Sequence, residues 1–259
     1  MDEIPFETTY NRGVIRQQGE RVDMDVAGAT FATWHPHRLC TGYSWDALSA
    51  APLFHPHNDG PKKILLLGLA GGTMLRILKQ LLPKARITAV EIDGELVDIA
   101  RRHMPWPADA CEVIVGDAYT FLKRTRRRFD VVLDDVFLAG AEDVFRPDAP
   151  QGGWGARYQR VLVPTGIVAV NCITTRPHLP LLRRMAADVR SHFPAFATIT
   201  AARGYNRILI AGNPLQSPDH VRRQATRFPD GQDQAWWRKM NIEAVVGQPS
   251  VAGEETPPV

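Results

Sequence analysis

The apolar run Ile64-Leu65-Leu66-Leu67, closed by Gly68, limits the possible folds more than any other stretch of this chain. A strand that is apolar on both faces must be covered on both sides, and such strands belong to parallel sheets flanked by helices. The pattern then repeats. Helical spacing over Thr73 to Leu82 is stopped by Pro83, and a strand is expected from Arg86 to Val90. A helix over Gly94 to His103, a strand over Cys111 to Val115, a helix over Tyr119 to Arg126 and a strand over Phe129 to Leu133 follow. Further helices are expected at Trp154 to Leu162 and Pro180 to His192, with strands at Ile167 to Val170, Ala197 to Ala201 and Arg207 to Ala211. Repeated βα units with a closing pair of strands predict an α/β fold, a doubly wound, mainly parallel sheet of seven strands.

The flanks read differently. Val14 to Arg16 and Arg21 to Val26 bracket the turn-prone Gln17-Gln18-Gly19-Glu20, which predicts a hairpin, with a weaker strand over Ala29 to Thr33. A helix over Tyr43 to Leu53 leads to a turn-rich linker, His55 to Pro61. The expected division is a small N-terminal β region with its connecting helix (1–60), the main domain (61–215) and a C-terminal extension (216–259). That extension is expected to be disordered from Gln248 onward.

With 259 residues, 44% of them hydrophobic, the chain can bury one substantial core. Its three cysteines, Cys40, Cys111 and Cys172, are isolated and lack ligand spacing, so they read as reduced packing residues in a cytoplasmic protein. The opening MDEIPFETTY is not a secretory leader, and no apolar run reaches membrane-spanning length. The net charge is +3, and the dense basic run Lys123-Arg124 with Arg126-Arg127-Arg128 falls where a helix should end. It reads as a solvated helix terminus, with a phosphate contact as the alternative. No aromatic side chains are interleaved with it, so no nucleic-acid partner is expected. His35-Pro36-His37 and His55-Pro56-His57 have no accompanying carboxylate or cysteine at ligand spacing, and no metal is expected.

In doubly wound sheets the ligand lies beyond the carboxyl ends of the strands, near the point where strand order reverses. The residues just after each strand are therefore the ones to inspect. After the first stand Gly68-Leu69-Ala70-Gly71-Gly72-Thr73, where glycines admit close backbone approach and the next helix offers free N–H groups. After the second come Glu91 and Ile92, and an acid here can accept both hydroxyls of a ribose. After the third come Gly116, Asp117 and Ala118, with Asp117 placed to accept an adenine amine. After the fourth come Asp134 and Asp135, facing the reacting end of a ligand. Each feature alone also fits a tight turn or a helix cap, but four in this order point to a nucleoside. The dinucleotide fingerprint is not met, because Ala70 and Thr73 stand at its second and third glycine positions.

The stretches ILLLGLAGGTMLRIL, ITAVEIDGELVDIARRHMP, VIVGDAYTFL and FDVVLDD resemble the spermidine synthase family, the polyamine aminopropyltransferases, within the Rossmann-like class I methyltransferase fold. The resemblance covers roughly Lys62 to Gly212. It implies that Gly68, Ala70, Gly71, Gly72, Glu91, Ile92, Asp117 and Ala118 hold an adenosyl-sulfonium cofactor, with Glu91 on the ribose and Asp117 on the adenine amine. Asp135 is then the active-site carboxylate beside the nucleophile. Two departures matter. The family carries an aspartate in a GGDGG-like run that binds the ammonium of decarboxylated S-adenosylmethionine, and Ala70 stands there. The family's DSSDP-like loop grips a polyamine with two acids, whereas this chain reads Asp135-Val136-Phe137-Leu138-Ala139, with Leu138 in place of the second acid. The expectation is S-adenosylmethionine itself as cofactor and methyl transfer to a less cationic small acceptor. Aminopropyl transfer from the decarboxylated form and a non-catalytic adenosyl-binding module are the alternatives.

Trp34, His35, His37, Tyr43 and Trp45 lie where the family's N-terminal segment covers the pocket, and Tyr43 and Phe137 are the candidate substrate-pocket walls. The long connection from Asp135 to Gln151 reads as a lid over the site. The resemblance also implies a homo-oligomer, most simply a dimer; from the short apolar runs no membrane partner is expected.

Overall fold

The computed structural model describes residues 2–56, 60, 62–140, 143–147 and 153–245. Strands β1 (Asp2–Glu7), β2 (Arg12–Gln18), β3 (Arg21–Val26) and β4 (Ala29–Trp34) form an antiparallel sheet in that order. The expected hairpin is therefore its centre, β2 against β3, with Gln18 opposite Arg21. β1 escapes sequence reading because DEIPFE is almost wholly exposed and holds a proline, features of an edge strand. One face of this sheet buries Ile15, Met24, Val26 and Ala32 against Leu96, Ala100 and Met104.

After α1 (Ser44–Ala50) the chain enters the main sheet through β5 (Lys63–Leu67), α2 (Thr73–Leu81), β6 (Arg86–Glu91), α3 (Gly94–His103), β7 (Glu112–Val115), α4 (Ala118–Arg124) and β8 (Phe129–Asp134). A short ribbon, β9 (Leu138–Ala139) against β10 (Val144–Phe145), precedes α5 (Trp154–Val161) and β11 (Leu162–Ile173). Then come α6 (Leu179–His192), β12 (Ala195–Thr200), β13 (Asn206–Gly212), α7 (Pro218–Arg223), α8 (Gly231–Arg238) and β14 (Asn241–Val245).

The sheet runs β14-β12-β13-β11-β8-β5-β6-β7. The strands β11, β8, β5, β6 and β7 are parallel, while β13 is antiparallel to β11 and to β12. It has one strand more than expected. β14 pairs antiparallel with β12, Ile199 opposite Ile242, and comes from the segment whose periodicity fades after Asn213. Residues 246–259, including the tail from Gln248, lie outside the described residues. β11 is also longer than expected, because Pro164-Thr165-Gly166 is an irregularity between Leu162 and Ile167 and not a break.

Helices cover both faces, as the β5 run demands. Ile64 and Leu66 pack in a core shared with α1, α2 and α8, and Leu65 and Leu67 in one shared with α4, α5 and α6. All four are fully buried, each contributing about 2 kcal/mol of hydrophobic stabilisation. Asp93 caps α3 by accepting from the Leu96 amide, and Asp117 caps α4 by accepting from the Thr120 amide.

The order reverses between β5 and β8, so their carboxyl ends frame the cleft. The fit there is close. Gly68 has φ +82°, and a Cβ on it would sit 2.5 Å from the Asp135 carbonyl oxygen. Gly71 lies where the glycine loop meets the N-terminal sheet, and a Cβ would fall 2.3 Å from Ala32 Cβ and 2.7 Å from Met104 Sδ. Gly71→Ala is expected to lower stability by about 2 kcal/mol through overpacking, read as a fall in chemical-denaturation midpoint. An unchanged midpoint contradicts this seam as drawn.

Candidate functional site

The cleft is a cavity of about 540 Å³ bounded by the glycine loop, the carboxyl ends of β6, β7, β8 and β11, and the N-terminal sheet. This is an ordinary size for a small-ligand site. Gly68, Ala70, Glu91, Ile92, Asp117, Ala118, Asp135, Phe137 and Tyr43 all line it. Gly71 and Gly72 do not. Gly71 packs on Ala32 and Met104, and Gly72 on the Trp106 ring, so these two shape the loop from behind. Trp45 lines the cavity beside Tyr43, the rings edge to face at 6.2 Å. Trp34 instead donates from Nε1 to the Pro105 carbonyl at 3.0 Å, and His35 and His37 face Glu20 at 3.8 and 3.6 Å; none of the three lines the cavity. His57 and the stretches 141–142 and 148–151 of the expected lid lie outside the described residues. Of the basic run, Arg127 pairs with Glu112 at 2.8 Å.

Glu91 ends β6 and is buried. Its Oε2 accepts the amides of Leu69 and Ala70 at 2.8 and 3.0 Å, and its Oε1 that of Asp93 at 3.1 Å. The carboxylate thus fixes the glycine loop to the neighbouring strand; Oε2 spends both its lone pairs on the loop amides, and Oε1 keeps one. Ala70 has φ +44°, a left-handed conformation unusual for alanine. Thr73, the first residue of α2, exchanges hydrogen bonds with the Thr33 backbone at 2.9 and 3.0 Å, joining β4 to the loop. Asp117 is exposed and commits Oδ1 to the Thr120 amide at 2.7 Å, leaving Oδ2 available.

At the other end of the cleft, Asp135 is half-buried and accepts from Asn171 Nδ2 at 2.7 Å on Oδ1; Asn171 Oδ1 in turn accepts from Asn206 at 3.0 Å. Burial raises the Asp135 carboxyl to about 6, opposed by the Asn171 hydrogen bond and the Arg146 charge and assisted by Asp134 and Glu91. A carboxylate with that value holds or releases a proton near neutral pH. Asp134 points away from this chemistry. It is fully buried, paired with Arg146, and accepts the Tyr158 hydroxyl at 2.5 Å.

Sequence reading missed Asn171, Asn11 and Arg146. Asn171 follows the expected end of the fifth strand, and the rule applied to the four preceding strands also points to it. Asn11 lies in the turn before β2, where nothing local marks it. Its amide donates to Asp93 at 2.6 Å, while its buried Oδ1 has no partner among the described residues and the residue lines the cavity. Arg146 sits in a connection without periodicity.

A doubly wound sheet with a glycine loop at its reversal point and an acid after each of β6, β7 and β8 is the architecture of a class I nucleoside-binding transferase fold. The spermine/spermidine synthase domain family matches residues 46–201, and the chain belongs to that family. A probable spermidine synthase from Corynebacterium glutamicum ATCC 13032 superposes with TM-score 0.69 at 20% identity, over 94% of this chain and 91% of that one. Human methyltransferase-like protein 13 in complex with SAH superposes with TM-score 0.56 at 19% identity, over 76% of this chain and 93% of that one. Both share the fold. In sequence, the chain is 28% identical over 174 residues to an eEF1A lysine and N-terminal methyltransferase homolog of Drosophila pseudoobscura pseudoobscura, 63% of this chain and 25% of the relative. It is 36% identical over 97 residues to a probable polyamine aminopropyl transferase of Bifidobacterium longum (strain NCC 2705), 38% of this chain and 21% of the relative. The chain thus spans about a quarter or less of the length of these relatives. Among the described residues no helix is long and apolar enough to cross a membrane.

Proposed function

We propose that the chain is an S-adenosylmethionine-dependent transferase, a methyltransferase of spermidine synthase-like type acting on a small acceptor. The observation that carries this reading is Ala70. It lines the cleft at the loop position where an aspartate would bind the ammonium of the decarboxylated cofactor. Without that charge, the carboxylate of intact S-adenosylmethionine meets no repulsion there.

The residues present fit such a cofactor. The cavity is large enough, Glu91 and Asp117 each keep an acceptor facing it, and the orphaned Asn11 Oδ1 calls for a hydroxyl donor. In this reading Glu91 and Asn11 take the ribose, Asp117 the adenine amine, Ile92 and Ala118 flank the base, and Gly68 lets the loop close on β8. When bound, the cofactor supplies an electrophilic methyl carbon on a sulfonium. The protein's share is positioning and proton handling. Asn171 holds Asp135 by one oxygen, so the other faces the acceptor and takes the proton of its attacking group. Tyr43, Trp45 and Phe137 exclude water around that group.

Asn11→Ala is expected to weaken S-adenosylmethionine about tenfold in calorimetry, and to lower the melting temperature by a few degrees because buried Asp93 loses a donor. Unchanged affinity removes Asn11 from the site. The reading itself is tested by incubating the purified chain with methyl-labelled S-adenosylmethionine and panels of amines, alcohols and carboxylates. Label appearing in an acceptor supports it; binding without turnover across the panel points to a non-catalytic adenosyl-binding module.

One observation favours aminopropyl transfer as a second reading. Asp143 lines the same cavity as Asp135, so a second acid stands near the acceptor end although Leu138 replaced the expected one. Transfer from decarboxylated S-adenosylmethionine to a diamine, with none from the intact cofactor, would establish it.

A further inference from the structure

We propose that Arg146 is a positioning residue: it fastens the described part of the β8–α5 connection to the sheet, so that Asp135 and Phe137 face the acceptor end as one unit. The inference rests on the transferase reading for its purpose, but not for its geometry.

Arg146 is 5% exposed although it lies on a connection between elements. Its guanidinium pairs with the fully buried Asp134 at the end of β8. It also donates to the carbonyl oxygens of Asn171 at 2.6 Å and Asp134 at 3.3 Å. Its flat face lies 4.7 Å from the centroid of the Phe137 ring. Asp134 is held from two more sides, by the Val136 amide at 3.1 Å and the Tyr158 hydroxyl of α5 at 2.5 Å. One planar fork therefore joins the end of β8, the carboxyl end of β11 and, through Asp134, helix α5.

What this clasp holds is the cavity wall. The chain leaves β8 at Asp134, pairs Leu138 with Phe145 and Ala139 with Val144, and returns to Asp134 through Arg146. Asp135, Val136, Phe137, Leu138, Asp143 and Val144, all on the enclosed span, line the cavity. A buried ion pair adds little net stability over an apolar pair of the same volume, and its best-attested use is to select one arrangement. Arginine suits this task and lysine does not, because only the fork reaches Asp134 and Asn171 together.

The pair also sets the field at Asp135. The groups around that carboxyl are Arg146 from the connection, Asp134 beside it on β8 and Glu91 from β6, with Tyr119 and Tyr158 lining the pair. Arg146 acts on Asp135 more strongly than Asp134 does, so losing both raises the Asp135 value.

Arg146→Met alone strands Asp134 in the interior, so the informative variants of the full chain are Asp134→Asn/Arg146→Met and Arg146→Lys. Three quantities are read: melting temperature, Asp135 titration by carboxyl-carbon NMR with Asp135→Asn assigning the signal, and protease cleavage between Phe137 and Pro147. The double variant is expected to stay folded, with the Asp135 midpoint raised and cleavage about tenfold faster. Arg146→Lys is expected to keep the midpoint and still be cleaved faster. If the double variant leaves both midpoint and cleavage unchanged, Arg146 is packing only and the proposal falls. If the double variant does not fold, unchanged cleavage of Arg146→Lys overturns it. Failure of the transferase reading appears separately, as wild-type chain that does not bind S-adenosylmethionine while these titrations stand.

Discussion

Ala70→Asp is expected to invert the cofactor preference of this chain. Wild type should bind S-adenosylmethionine more tightly than its decarboxylated form, and the variant should gain the decarboxylated form by about 10- to 100-fold, the effect of a charged hydrogen bond. The backbone already suits the change. Ala70 sits at φ +44°, where aspartate is more at ease than alanine, so the substitution adds no strain. Its amide stays on Glu91 Oε2, so the loop keeps its anchor. The new carboxylate enters a cavity already lined by Glu91, Asp117 and Asp135. A cofactor bearing its own carboxylate is then repelled, while one ending in an ammonium is attracted. Calorimetric titration of both cofactors on both proteins checks this. Wild type preferring the decarboxylated form would show that Ala70 does not set the preference and would return polyamines to the front.

Ala70 and its loop are legible in the sequence because periodicity and glycines place residues along a strand–loop–helix unit. β5 reads as a run covered on both faces, and the glycine loop and Glu91 follow from strand ends alone. Contacts that cross between distant segments were not legible. Asn11 reaches Asp93 across 82 residues, and nothing near Asn11 announces that partner. The same holds for Arg146, whose buried role depends on Asp134 and Asn171 and not on its own neighbours. Asp134 itself shows the limit from the other side. The resemblance singles out Asp135 and leaves Asp134 to a salt bridge, but the partners Arg146 and Tyr158 stand far along the chain; alternation sends Asp134 inward toward them and Asp135 into the cleft. β14 escaped because an antiparallel edge strand late in the chain needs only a short alternation, which a window of that length cannot separate from a loop.

Asp135→Asn should abolish turnover while leaving the cofactor site intact, a loss of about 10²- to 10⁴-fold for a missing general base. Asparagine keeps the shape and can still accept from Asn171, so S-adenosylmethionine should bind within about threefold of wild type. The pH behaviour gives a second, independent reading of the same carboxyl. In the folded chain Asp135 titrates at about 6, above the value of about 3.9 expected in the unfolded chain. The folded state therefore holds this proton more tightly, and the stabilisation is fully present below about pH 4 and lost as pH rises through about 6. Its magnitude is about 3 kcal/mol at most. Asp135→Asn should accordingly be more stable than wild type at pH 7.5 and nearly equal to it at pH 4. Wild-type activity should run the other way, rising with pH through about 6 as the carboxylate becomes able to take a proton. An activity profile flat from pH 5 to pH 8, or a variant that loses stability at pH 7.5, would mean that Asp135 is a structural acid like its neighbour Asp134. Loss of turnover together with gained stability is the combination a structural acid does not produce, since removing a group that holds the fold cannot strengthen it.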